Sequence, residues 1–76
     1  MDKAKYELAK KNGKLEKFRS DEISKRISAK YSFSNQIAIL MDKDTKPDEW
    51  NAYQEFRAKV KAEVDEEFNA LEEGEN

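Results

Sequence analysis

Pro47 opens the stretch of this chain whose shape its own spacing dictates. A proline suits the first helical position, because its missing N–H would have had no partner there. Asp48 and Glu49 follow in the first turn, where carboxylates meet the positive end of the helix dipole. From there Trp50, Tyr53, Phe56, Val60, Val64, Phe68 and Leu71 recur at steps of three and four, one apolar stripe on a helix of period 3.6. A strict heptad fits worse, since counting from Trp50 it places Arg57 and Glu67 in the seam. The spacing predicts one long helix over about 47–72, with Gly74 as its stop. Such a helix, roughly 39 Å long, needs partners along its length.

Upstream, two shorter helices are expected. Ser32 or Ser34 can accept a backbone N–H as an N-cap, and Phe33, Ile37, Leu40 and Met41 then share one face of a helix over about 33–43, with Ile39 to the side. Asp42, Lys43, Asp44 and Thr45 form the polar turn into Pro47. Ile23, Ile27 and Tyr31 are spaced for a helix over about 20–31, with Ser20 or Asp21 as its cap. Ser24 and Ser28 make a strip of small residues beside that face.

Residues 1–19 are read as a looser, basic, helical arm. Asn12-Gly13 is a hairpin signal, but a two-residue loop would set Leu8 opposite Lys17 and Lys10 opposite Leu15, with no shared apolar face. Gly13 as a helix C-cap, with a second short helix from Lys14, fits better. The expected architecture is therefore all-α: a basic arm at 1–19, a three-helix domain at 20–73 and a tail at 74–76. Trp50 is expected as a core anchor against Ile37 or Leu40. The far end of the long helix, at Val64, Phe68 and Leu71, must find the arm or a second copy, and a homodimer is expected on that ground.

Composition narrows the chemistry. The 76 residues contain no His and no Cys. A zinc site of the usual ligands, a Ser-His-Asp triad and a Cys-His dyad are thereby excluded within the chain. Asp42, Asp44 and Asp48 suggest a calcium loop, but Lys46, Pro47 and Tyr53 fall where a ligand, the turn glycine and the bidentate glutamate belong. Glu63, Asp65, Glu66 and Glu67 lack the histidines of a dimetal helix pair and read as a solvated face. No metal, cofactor or enzymatic activity is expected.

Charge is unevenly placed. Residues 1–31 hold ten bases and five acids, net +5, whereas residues 32–76 hold five bases and twelve acids, net -7. The halves can attract each other within one molecule or between molecules. Lys10, Lys11, Lys14, Lys17 and Arg19, with Tyr6 and Phe18 interleaved, form the candidate nucleic-acid patch, although an overall pI near 5.2 weighs against that use. The longest apolar run, Ile37 to Met41, is far too short to span a membrane, and Met1-Asp2-Lys3 does not open a signal peptide. The expected location is the cytoplasm of the producing cell or a particle assembled there.

Tyr31-Ser32-Phe33-Ser34-Asn35-Gln36-Ile37-Ala38-Ile39-Leu40, then Asp44-Thr45-Lys46-Pro47-Asp48-Glu49-Trp50-Asn51-Ala52-Tyr53 and Ala58-Lys59-Val60-Lys61-Ala62-Glu63, carry a resemblance. Over about Ile27 to Val64 the chain resembles small helical proteins encoded by tailed phages and prophages of Gram-positive bacteria, near tail and lysis genes. It departs from them at Met41, where an Arg is common, and at Arg57, where a Cys is frequent. The resemblance implies no catalytic residue; it implies a genomic setting. With the exclusions above, it leads to a non-enzymatic phage accessory protein that works by protein contact in tail assembly or attachment. The alternative is a small regulator or inhibitor that binds a host protein or nucleic acid. Trp50, Tyr53, Val64, Phe68 and Leu71, with the basic residues of the arm, are the candidate contact residues.

Overall fold

A computed structural model of the chain describes residues 2–73. Those residues form four α-helices: α1 (Lys3–Lys11), α2 (Leu15–Lys30), α3 (Phe33–Met41) and α4 (Pro47–Glu73). The all-α reading and the long C-terminal helix hold. Gly74 and the tail at 74–76 lie outside the described residues. No helix among the described residues is long and apolar enough to cross a membrane.

Local chemistry explains most of the helix ends. Asp2 caps α1, its carboxylate accepting from the N–H groups of Ala4 and Lys5. At the other end Gly13 takes φ +69, the Gly13 N–H bonds to the Lys10 carbonyl and the Lys14 N–H to the Ala9 carbonyl. That pair of bonds is a Schellman ending, which favours glycine because an L side chain is strained at positive φ. Ser32, not Ser34, caps α3 by accepting from the Asn35 N–H at 3.1 Å.

The second helix starts earlier than its sequence suggested. It runs unbroken from Leu15, so Ser20 and Asp21 are interior residues and not caps. No Gly or Pro stands between Leu15 and Lys30, and i,i+4 pairs of Lys17 with Asp21 and of Glu22 with Arg26 support the added turns. The short helix expected from Lys14 and the one expected from residue 20 are therefore one element. Ser24 and Ser28 are exposed, a solvated flank.

The core is a single seam along α4. Ile23 and Ile27 of α2 pack with Tyr53, Val60 and Val64, and Tyr31, Ile39, Trp50, Phe56 and Phe68 close around them. Tyr31 sits edge-on to Tyr53 with ring centroids 5.1 Å apart, and Lys30 lies 4.5 Å above the Phe56 ring.

The N-terminal arm is docked along this seam. Tyr6 is fully buried, its ring edge-on to Phe68 at 5.3 Å, and the tilted Phe18 ring also meets Phe68, at 5.7 Å. Tyr6 also donates its hydroxyl hydrogen bond to Glu72. The far end of α4 is thus covered within the chain by α2 and α1: Val64 is buried with Ile23 and Ile27, Phe68 is half-buried against Phe18 and Tyr6, and Leu71 is half-buried. The reason for expecting a second copy at that end disappears.

The result is a rod. The Cα radius of gyration is 15.1 Å, against about 11 Å for a compact domain of this length. The principal extents are 50 × 19 × 17 Å.

Candidate interaction surface

α3 presents the wrong face to the core, judged by its apolar pattern. Phe33, Ile37, Leu40 and Met41 are 76, 41, 50 and 78% exposed, whereas Ile39 packs inward. The apolar stripe lies about a quarter-turn away from the inward side of the helix. Gln36 takes the inward position and links two elements: Tyr53 Oη donates to Gln36 Oε1 at 2.7 Å, and Gln36 Nε2 donates to the Tyr31 carbonyl at 2.9 Å.

This choice has a physical cause. Tyr31, Tyr53, Phe56 and Trp50 already fill the space where α2, α3 and α4 meet, and two polar groups there need partners. An unsatisfied buried group costs about 1–3 kcal/mol, comparable to the gain from burying one aliphatic side chain. Gln36 satisfies both groups together, and the stripe is left outside.

Beside the stripe runs a shallow groove of about 220 Å³, lined by Phe33, Ile37, Leu40, Trp50, Tyr53 and Arg57. Trp50 is half-buried at its edge, lining the groove with Ile37 and Leu40, and Lys43 lies 5.6 Å above the Trp50 ring. The groove is smaller than the roughly 300–1,000 Å³ of typical small-molecule sites. On the other side of α3 a wider cleft of about 370 Å³ opens among Tyr31, Asn35, Asp42, Lys46 and Glu49. With a depression on each side, α3 joins the rod along a narrow seam.

Arg57 completes the surface, and the candidate contact residues did not include it. Its guanidinium carbon lies 5.7 Å from the Tyr53 ring centroid, and its Nε is buried without a hydrogen-bond partner. The Nε is out of reach of an incoming group, but the charge of a half-buried cation lining an apolar groove favours a partner carboxylate nearby.

The structure separates the candidate contact residues into three groups. Val64 and Phe68 belong to the interior seam and Leu71 is half-buried near its end, whereas Trp50 and Tyr53 line the surface groove, Tyr53 from the buried side. The basic residues lie at the opposite end of the rod. Lys10 pairs with Glu72 at 3.2 Å, Lys17 with Asp21 at 2.9 Å and Arg19 with Asp65 at 2.5 Å, leaving Lys11 and Lys14 exposed at the α1–α2 turn. Tyr6 and Phe18, the aromatics available in principle for stacking on bases, are turned into the core. Among the described residues, no group of three or more carboxylates is gathered closely enough to hold a metal ion.

Much of the charge asymmetry is met within the molecule. Arg19 to Asp65, Arg26 to Glu67 and Lys10 to Glu72 each join a base of the front half to an acid of the rear half. Hydrogen bonds from Arg19 and Arg26 hold Asp65 and Glu67 below the usual carboxylate range, and the Tyr6 hydroxyl and the Lys10 ammonium do the same for Glu72. Depressed carboxylates stabilise the fold above their unfolded-state values, and that contribution is lost as pH falls through the folded-state values. The thermal midpoint should therefore stay level from neutral pH to about pH 5 and fall below about pH 4. Thermal melts across this range test it: Glu67→Gln should flatten the acid decline, and an unchanged slope would refute a role for the pairs. Arg26 is raised further from its already high value and stays charged throughout this window.

No protein family, no curated protein and no solved structure matches the chain.

Proposed function

We propose that this protein is a non-enzymatic phage accessory protein that works by protein–protein contact, in tail assembly or attachment. The observation that carries the contact reading is the outward apolar stripe of α3. A chain with so few large apolar residues leaves four of them exposed on one helix, beside a half-buried tryptophan. Contiguous exposed apolar surface of this kind marks interaction sites on small proteins, and anchors at i, i+4 and i+7 are the pattern by which a helix enters a partner's groove. The phage setting is supported by the resemblance over Ile27 to Val64. Against nucleic-acid binding stand the internal pairing of Lys10, Lys17 and Arg19 and the burial of Tyr6.

Affinity capture from a phage-infected lysate tests the reading. The wild-type chain should retain tail proteins, and Phe33→Asp, an exposed substitution, should reduce that capture at least tenfold, the expected loss for an interface anchor. Salt-sensitive binding of nonspecific DNA without tail-protein capture would overturn it.

A further inference from the structure

We infer that the α3 face is closed by a second copy of the chain, the two α3 helices packing antiparallel about a two-fold axis at Ile37. The inference rests on the contact reading above and names the partner at that surface. It places the second copy on a different face from the one the sequence pointed to.

The stripe is built to match itself when turned over. Ile37 lies midway between Phe33 and Met41, which are about 12 Å apart along the helix. In an antiparallel pair Ile37 meets its own copy, and Phe33 meets the partner's Leu40 and Met41. A two-fold interface requires this reciprocity, each contact being made twice.

Charge selects the same orientation. The first turn of α3 holds no acid and the last turn no base, so neither end of its dipole is compensated by the helix itself. Arg57 stands beside the positive end, next to Phe33, and Asp42 and Asp44 follow the negative end. Lys43, the base between those aspartates, is engaged over Trp50. Antiparallel packing brings each positive end to the partner's negative end and sets the Arg57 cation opposite the partner's Asp42–Asp44 turn. Parallel packing would oppose like ends.

The size of the patch sets the strength. One nine-residue helix and the start of α4 offer less than the roughly 800 Å² per partner of a standard interface. The dimer should be reversible, with a dissociation constant on the order of 1–100 µM.

Sedimentation equilibrium of the full chain from about 0.1 µM to about 1 mM tests this, because that range brackets the expected constant. The mass should rise from one chain to two. Ile37→Asp should weaken association by roughly thirtyfold or more, as for an interface hot spot. Phe33→Asp should weaken it too, with helical circular dichroism unchanged in both variants because the side chains are exposed. Arg57→Glu and Asp44→Arg should each weaken the dimer, and the double variant should recover it. A chain that stays monomeric to about 1 mM, or a dimer indifferent to Ile37→Asp, overturns the inference. A monomer that still captures tail proteins through Phe33 overturns the second copy alone. A dimer that captures none supports the second copy and refutes the proposed function.

Discussion

Val64→Asp should abolish the fold. Val64 is fully buried at the centre of the α2–α4 seam, in the cluster with Ile23, Ile27, Tyr53 and Val60. A carboxylate placed there has no cation to meet, because the two arginines that bridge α2 to α4, Arg19 and Arg26, already serve Asp65 and Glu67. An uncompensated buried charge costs about 3–5 kcal/mol. A chain of this length has a total stability of only about 4–11 kcal/mol, and an elongated rod with six buried apolar side chains among the described residues belongs near the bottom of that range. Far-UV circular dichroism at neutral pH should show most of the helical signal lost. Phe33→Asp introduces the same chemical group on α3 and should leave that signal intact. If Val64→Asp keeps full helicity, the seam does not hold the molecule together.

Periodicity made α4 legible because every apolar residue in it has a place in one stripe. Gly13 was legible for a separate reason, since a positive-φ ending leaves few alternatives to glycine. The start of α2 was not: Ser20 and Asp21 favour caps, yet they also stand in helix interiors, and only the absence of a breaker after Gly13 decides between the two. For α3, the spacing of Phe33, Ile37 and Leu40 told which residues share a face but not which way it points. That was settled by Gln36, whose hydrogen-bond partners are the Tyr31 carbonyl, five residues back, and the Tyr53 hydroxyl, seventeen residues on and in another helix. The heptad count contained a further signal. It places Arg57 and Glu67, both charged, in the seam, and both residues are half-buried. Glu67 meets Arg26, and Arg57 is left with its unmet donor at the groove.

The docking of α1 should depend on one ring. Tyr6→Ala should release the helix, because Tyr6 is the one buried side chain of α1 and Leu8, its other large apolar residue, is exposed. Removing a buried aromatic ring costs about 3–5 kcal/mol, which nine residues capped by Asp2 and Gly13 cannot recover alone, since isolated helices this short are marginal. Tyr6→Phe separates the ring from its hydroxyl. It keeps the packing on Phe68 and loses the bond to Glu72, a smaller loss than that of the ring because the carboxylate is exposed and Lys10 remains beside it. Amide hydrogen exchange should resolve the two. In Tyr6→Ala the amides of α1 and of the last turns of α4 should exchange freely, while those around Ile23, Ile27 and Val60 stay protected. In Tyr6→Phe protection of α1 should fall only modestly. Global loss of protection in Tyr6→Ala would show that the seam cannot stand without its N-terminal cover. The site of this substitution at Phe68 and the α3 face beside Trp50 are 18 residues apart on α4, roughly 27 Å along the helix. Effects at that separation add independently, so Tyr6→Ala should leave contacts made through Phe33, Ile37 and Leu40 unchanged. The two ends of the rod then have different tasks: α1 closes the core of its own chain at one, and α3 makes contact beyond the chain at the other.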